Sequence, residues 1–225
     1  MAVTNKACIE AYIGQSGSGK GVSIKARLKE LAGVPLIIWD PRNEYGEHAK
    51  AVDMAGVLAA GRAIKAGKAP RVRFVHDGKS SMDEAFATIC AVAFTAGNCV
   101  FLAEELSDVT KPSWAPPEWK RICTQGRHVG LIVLGAAQRP ALIDKNFLGN
   151  CTYLRAFSLR YANDRRAVAE ALDVPVADVA ALVTSDDEDQ GLPVITTKIM
   201  WLEKDFRRNQ LTPGGVTVRK NREPT

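Results

Sequence analysis

Apolar residues in this chain fall into short unbroken runs, and between the runs they recur at helical spacing. Residues 7–13 (Ala-Cys-Ile-Glu-Ala-Tyr-Ile) read as a strand, a glycine-rich loop comes next, and 22–31 carry apolar residues with helical period up to Gly33 and Pro35. Leu36-Ile37-Ile38-Trp39 is a short buried strand closed by Asp40-Pro41, after which a helix around 52–65 and a strand at 71–75 are expected. A helix over 81–96 opens with Ser81 as N-cap and Glu84 three residues on, and leads into a strand at 99–103. Residues 130–135 form a further all-apolar strand, and 153–159 another. Apolar strands alternating with helices imply an α/β fold with a mostly parallel central sheet flanked by helices on both faces. Pro112, Pro116 and Pro117 mark a loop beyond the fourth strand, and the last 15 or so residues read as an irregular tail. The expected organisation is one α/β domain over 1–210 and a basic C-terminal tail over 211–225.

With 225 residues, 46% apolar and 24% charged, the chain can bury a core without disulfides or metals. Its longest apolar stretches are far short of the roughly 20 residues a membrane helix needs, so no transmembrane segment is expected. Residues 1–8 lack the apolar region of a secretory signal. Cys8, Cys90, Cys99, Cys123 and Cys151 form no CxxC pair, which reads as reduced, mostly buried thiols in a cytosolic protein. His48, His76 and His128 are too scattered for a zinc site, and His128 reads as a packing residue. The net charge of +5 suits a polyanion partner without requiring one. Two basic clusters stand out, Arg62, Lys65, Lys68, Arg71 and Arg73, then Lys204, Arg207, Arg208, Arg219, Lys220 and Arg222, against an acidic run at Asp186, Asp187, Glu188 and Asp189. Each is either a contact surface or a solvated face.

Gly14-Gln15-Ser16-Gly17-Ser18-Gly19-Lys20 comes after a strand and opens a helix, so its backbone N–H groups and a helix N-terminus are placed to hold phosphate oxygens. ATP is the expected ligand, held by residues 14–20 with Gly21 and Val22, and Lys20 supplies a mobile positive charge for the β- and γ-phosphates. The pattern wants Ser or Thr at position 21 to ligate Mg²⁺; this chain has Gly21, leaving Ser23 or a water to substitute. Val100-Phe101-Leu102-Ala103-Glu104-Glu105 delivers two carboxylates where an apolar strand meets solvent, a Walker B pattern. Glu104 is the candidate for the Mg²⁺ shell, through water, and Glu105 for the general base. Gln138, after the next apolar strand, is either a γ-phosphate sensor or part of a turn announced by Pro140. Arg127 precedes that strand at its opposite end; it is either a surface arginine or an arginine finger reaching a neighbouring subunit.

The segments GQSGSGKG at 14–21, IIWDPRNEYG at 37–46, VFLAEELSDV at 100–109, GRHVGLIVLGAAQRP at 126–140 and LRAFSLRYANDRR at 154–166 resemble the FtsK–HerA superfamily of DNA-pumping ATPases, in the family's order and across most of the chain. The chain most resembles the genome-packaging ATPases of tailless icosahedral double-stranded DNA viruses with an internal membrane. That resemblance implies an additional-strand, RecA-like P-loop NTPase fold and a hexameric ring that drives double-stranded DNA into a preformed capsid. It implies capsid or vertex proteins as partners, and a place in the host cytoplasm at a packaging vertex of the virion. It also implies the roles given to Lys20, Glu104, Glu105, Gln138 and Arg127. Gly21, and Glu rather than the usual Asp at 104, depart from the common pattern. Three rivals remain. An adenylate-kinase-type phosphotransferase also carries Gly-Lys-Gly but needs an arginine-rich lid. Filamentous-phage assembly ATPases share the motifs but usually carry a membrane segment. A degenerate nucleotide-binding structural protein is the third.

Overall fold

The computed structural model describes residues 7–187 and 194–221. In chain order the elements are β1 (Cys8–Ile13), α1 (Lys20–Glu30), β2 (Leu36–Trp39), β3 (Lys50–Ala51), α2 (Met54–Lys65), β4 (Arg71–Phe74), α3 (Met82–Ala96) and β5 (Val100–Ala103). After these come α4 (Leu106–Val109), α5 (Pro117–Gln125), β6 (Ile132–Ala137), α6 (Lys145–Gly149), β7 (Tyr153–Ala156), α7 (Ala162–Leu172) and α8 (Val176–Ala180), then β8 (Thr184–Asp187), β9 (Val194–Asp205) and β10 (Gln210–Asn221). The strand order is β10-β9-β7-β1-β6-β5-β2-β4-β3, with β8 pairing β9 beside β7. From β7 to β3 every pairing is parallel, whereas β8, β9 and β10 pair antiparallel. β6 lies between the strand that opens the glycine-rich loop and the strand that carries the paired glutamates, which is the additional-strand arrangement.

The unbroken apolar runs have a direct geometric reason. Successive strand residues point to opposite faces, and both faces here are covered. Ile9, Ala11 and Ile13 of β1, Ile37 and Trp39 of β2, and Phe101 and Ala103 of β5 enter a core shared with α2, α3, α5 and α7. Their alternates, Cys8 and Tyr12, Leu36 and Ile38, Val100 and Leu102, enter a second core closed by Ile24 and Leu28 of α1. Trp119 of α5 sits at the centre of the first, with ring centroids 5.6 Å from Phe86, 6.3 Å from Phe101 and 5.4 Å from Phe147. Ser81 caps α3 as expected, its Oγ accepting from the Glu84 N–H at 3.4 Å. All five cysteines are free and buried.

Three expectations need correction. Residues 211–221 are not an irregular tail: β10 crosses the expected boundary at 210/211 and pairs with the whole of β9. His128 is exposed rather than packed. The basic clusters are also partly internal. Arg71 donates to the carbonyls of Leu31 and Val34, both at 2.9 Å, and of His48 at 3.1 Å, closing the C-terminal end of α1. Arg73 pairs with buried Asp40 at 3.0 Å, and Lys204 is buried with its Nζ 2.6 Å from Leu172 O. Exposed cations remain at Arg62, Lys65, Lys68, Arg207, Arg208 and Arg219. Glu188, Asp189 and Arg222 lie outside the described residues.

Candidate active site

Parallel strands bring their C-terminal ends to one edge, and four of them converge here. β1 ends in the glycine-rich loop, β2 in Asp40, β5 in Glu104 and Glu105, and β6 in Gln138. Gly19 precedes α1 with φ 101° and ψ 2°, a left-handed conformation that side chains resist, and a Cβ there would stand 2.5 Å from Ile199 Cγ2. The first turn of α1 has no capping side chain and no acidic residue. Its N–H groups, which lack intrahelical partners by construction, and its positive dipole end are left to meet an anion. A cavity of about 530 Å³ lies over that turn, lined by residues 16–22, Lys25, Glu44, Glu104, Glu105, Gln138, Thr184, Thr197, Ile199 and Val218.

Lys20 is buried, and its Nζ donates to Gly14 O at 2.7 Å and Gln15 O at 3.0 Å. Burial lowers its pKa, against the opposing pull of Glu104 and Glu105. Glu104 is buried and accepts a short hydrogen bond from the Tyr45 hydroxyl. Burial raises its carboxyl from 4.5 to about 7, although the Tyr45 bond and the Lys20 charge pull the other way. Glu105 adopts φ 49° and ψ 52° at the start of α4, a backbone strained for a glutamate, and its Oε1 accepts a short hydrogen bond from Gln138 Nε2. Strained backbones of this kind cluster at functional sites, and this one turns a carboxylate toward the neighbouring strand end. Glu105 and Gln138, 33 residues apart, are thus one unit.

The loop, the paired glutamates and Gln138 therefore share one cavity. Arg127 does not: it lies exposed in a 3-10 turn, Gly126–Val129, before β6, at the opposite edge of the sheet. Ser23 does not either. Its Oγ accepts from Arg155 Nη1 at 3.3 Å in a separate cleft beside Glu10 and Arg27, so it is no substitute for a hydroxyl at position 21. Sequence reasoning assigns no chemistry to Glu44, Tyr45, Thr184, Ile199 or Val218, although it singles out the segment 37–46 that holds the first two. Among the described residues no group of three His, Cys, Asp or Glu side chains is arranged to hold a metal ion by itself. The glutamates do fit Mg²⁺ held jointly with phosphate oxygens, because that cation is commonly bound by one or two carboxylates plus substrate phosphates.

A P-loop NTPase fold with its phosphate loop, paired carboxylates and strand-end amide on one cavity is the class that the architecture defines. No family model matches the chain. It is similar to Protein P9 of Pseudoalteromonas phage PM2, at 24% identity over 174 residues, covering 76% of this chain and 77% of that protein. In structure it matches the genome packaging NTPase B204 of Sulfolobus turreted icosahedral virus 2 in complex with AMPPCP, with a TM-score of 0.69 and 16% identity over 92% of this chain and 96% of that one. B204 described as the DNA-packaging ATPase of Sulfolobus turreted icosahedral virus matches with a TM-score of 0.65, at 16% identity and the same coverage. The chain has the fold of these packaging NTPases, and the likeness extends well beyond the motif segments. Among the described residues no helix is long and apolar enough to cross a membrane.

Proposed function

We propose that this chain is an ATPase that drives double-stranded DNA into a preformed viral capsid, hydrolysing ATP at subunit interfaces of a ring, which we take to be a hexamer at a packaging vertex in the host cytoplasm. The observation that carries the hydrolytic part is the Gln138–Glu105 junction over the phosphate loop. A phosphotransferase must exclude water, whereas a carboxylate and an amide held together beside the γ-phosphate position suit the activation of water. In this reading residues 14–22 cradle the phosphates and Lys20 leaves the loop carbonyls for the β- and γ-oxygens. Glu105 accepts the proton of the attacking water, and Gln138 orients that water and registers the γ-phosphate. Glu104 fits the shell of a Mg²⁺ ion, which when bound supplies neutralisation of charge on the phosphate oxygens. The DNA part is supported by the similarity to proteins described as packaging enzymes and by the six exposed cations named above, which suit sequence-independent phosphate contacts.

The test is phosphate release by the full chain with and without duplex DNA, and with AMP offered as acceptor. Wild type should release phosphate faster with DNA and should not phosphorylate AMP. Lys20→Ala should lose nucleotide binding, and Glu105→Gln should bind ATP while hydrolysing it roughly 10²- to 10⁴-fold more slowly. Wild-type ATP affinity in Lys20→Ala, or transfer to AMP in place of release, would sink the proposal.

A further inference from the structure

The missing hydroxyl at position 21 has a structural counterpart. Placed on the backbone of Gly21, a Cβ would have Glu44 Oε2 as its nearest neighbour, at 4.0 Å. Since a serine hydroxyl lies one covalent bond beyond its Cβ, the Glu44 carboxylate borders the space such a hydroxyl would occupy. Glu44 is an exposed side chain at the cavity mouth, but the loop that carries it is fixed. Asp40, wholly buried, accepts from the Glu44 N–H at 2.9 Å and the Tyr45 N–H at 3.1 Å while paired with Arg73 at 3.0 Å. The next residue, Tyr45, is buried and donates to Glu104. One loop therefore both aims Glu44 at the first turn of α1 and ties itself to the first glutamate of β5. Ser23, the hydroxyl within α1 that could have substituted for one at position 21, faces away.

We infer that Glu44 takes the place of the absent position-21 hydroxyl and would, together with Glu104, hold the divalent cation of the bound nucleotide, directly or through one water. This rests on the reading of the cavity as an ATP site. A carboxylate differs from a hydroxyl in a measurable way: it is charged. Without a cation it repels the triphosphate, and with one it becomes an attractive ligand. Glu44 thus makes nucleotide affinity more dependent on the cation than a serine would.

The experiment measures binding of a fluorescent, non-hydrolysable ATP analogue to the full chain, in EDTA and in Mn²⁺, with the paramagnetic signal of bound Mn²⁺ as a second readout. Four proteins are compared: wild type, Glu44→Gln, Gly21→Ser, and the double variant. Glu44→Gln should bind the analogue in EDTA at least as tightly as wild type, yet lose the Mn²⁺-dependent gain by roughly tenfold or more. The double variant should recover most of that gain, because a hydroxyl is restored to the same place. A structural role for Glu44 would weaken binding in both conditions alike. An undiminished Mn²⁺ gain in Glu44→Gln overturns the inference, as does a double variant no better than the single one. If wild type binds no analogue in either condition, the nucleotide reading itself falls, a result distinguishable from both.

Discussion

Glu104 is a carboxyl pulled two ways. Burial disfavours its charge, while the Tyr45 hydroxyl and the Lys20 ammonium favour it, and the balance raises it from 4.5 to about 7. Because the folded value lies above the unfolded one, the native state holds the extra proton between about pH 4.5 and 7. Stability therefore falls as pH rises through that window. At about 1.4 kcal/mol per pH unit the loss is on the order of 3 kcal/mol, complete above pH 7. Glu104→Gln removes the ionisation and keeps an acceptor for Tyr45. In buffer free of nucleotide and metal it should melt like wild type at pH 4.5 and higher than wild type at pH 8. Thermal melts at the two pH values decide the matter: destabilisation at pH 8 would mean that the ionised carboxylate and Lys20 attract each other by more than burial costs. The same residue shows how a binding site stores instability, since a cation bound there would offset what the ionised carboxylate loses by burial.

At the scale of elements, legibility tracks the physics of burial. β1, β2, β5 and β6 are covered on both faces, so each is an apolar run that could mean little else once turns and helices bounded it. The phosphate loop, the paired glutamates and Gln138 are legible for the same reason, since each sits directly at the C-terminal end of such a run. β10 is not. Pro213, Gly214 and Gly215 belong to the stretch that reads as an irregular tail, yet they lie inside a 12-residue strand. The glycine at 214 is demanded by a neighbour distant in sequence: a Cβ there would stand 2.5 Å from the Trp201 indole, on the paired residue of β9. Arg71 and Arg73 mislead in a similar way, because charge along a sequence does not show that one guanidinium satisfies carbonyls at a helix end and the other a buried carboxylate. Gly214→Val should force Trp201 off the sheet, at a cost of about 1–3 kcal/mol, and lower Tm by roughly 2–4 °C for each kcal/mol. Gly33→Val, where a Cβ meets nothing within 4 Å, is the control and should leave Tm nearly unchanged. Equal melting of the two variants would mean that the ring and strand separate freely.

For the whole molecule, the placement of the arginines matters most. β6 has six residues and spans about 20 Å, so Arg127, in the turn before it, and the cavity at its far end are separated by more than the reach of an arginine side chain. If Arg127 serves an active site, that site belongs to another copy of the chain. Its guanidinium is exposed and forms no ion pair among the described residues, which is common to a surface arginine and to a finger. Three other arginines in the family-like segments, Arg155, Arg139 and Arg160, are differently placed. Arg155 is held by Glu203 at 2.6 Å, and Arg139 is held by Asp164 at 2.7 Å and stacked on Tyr161. Arg160 is exposed but lies near its own loop, in a cleft with Gln15, Ser16 and Gln138. An arginine finger is worth on the order of 10³ to 10⁵ in rate. Arg127→Ala should therefore bind ATP normally and turn over poorly, and a strictly monomeric preparation of wild type should be nearly inactive. Mixing Arg127→Ala with Lys20→Ala should restore part of the activity. At some interfaces the first supplies an intact phosphate loop and the second an intact finger. Rescue discriminates best, since a surface arginine gives no defect and an arginine acting within its own subunit gives one that mixing cannot repair. Full activity in Arg127→Ala would move the search to Arg160, whereas full activity in the monomer would end the shared-site reading altogether.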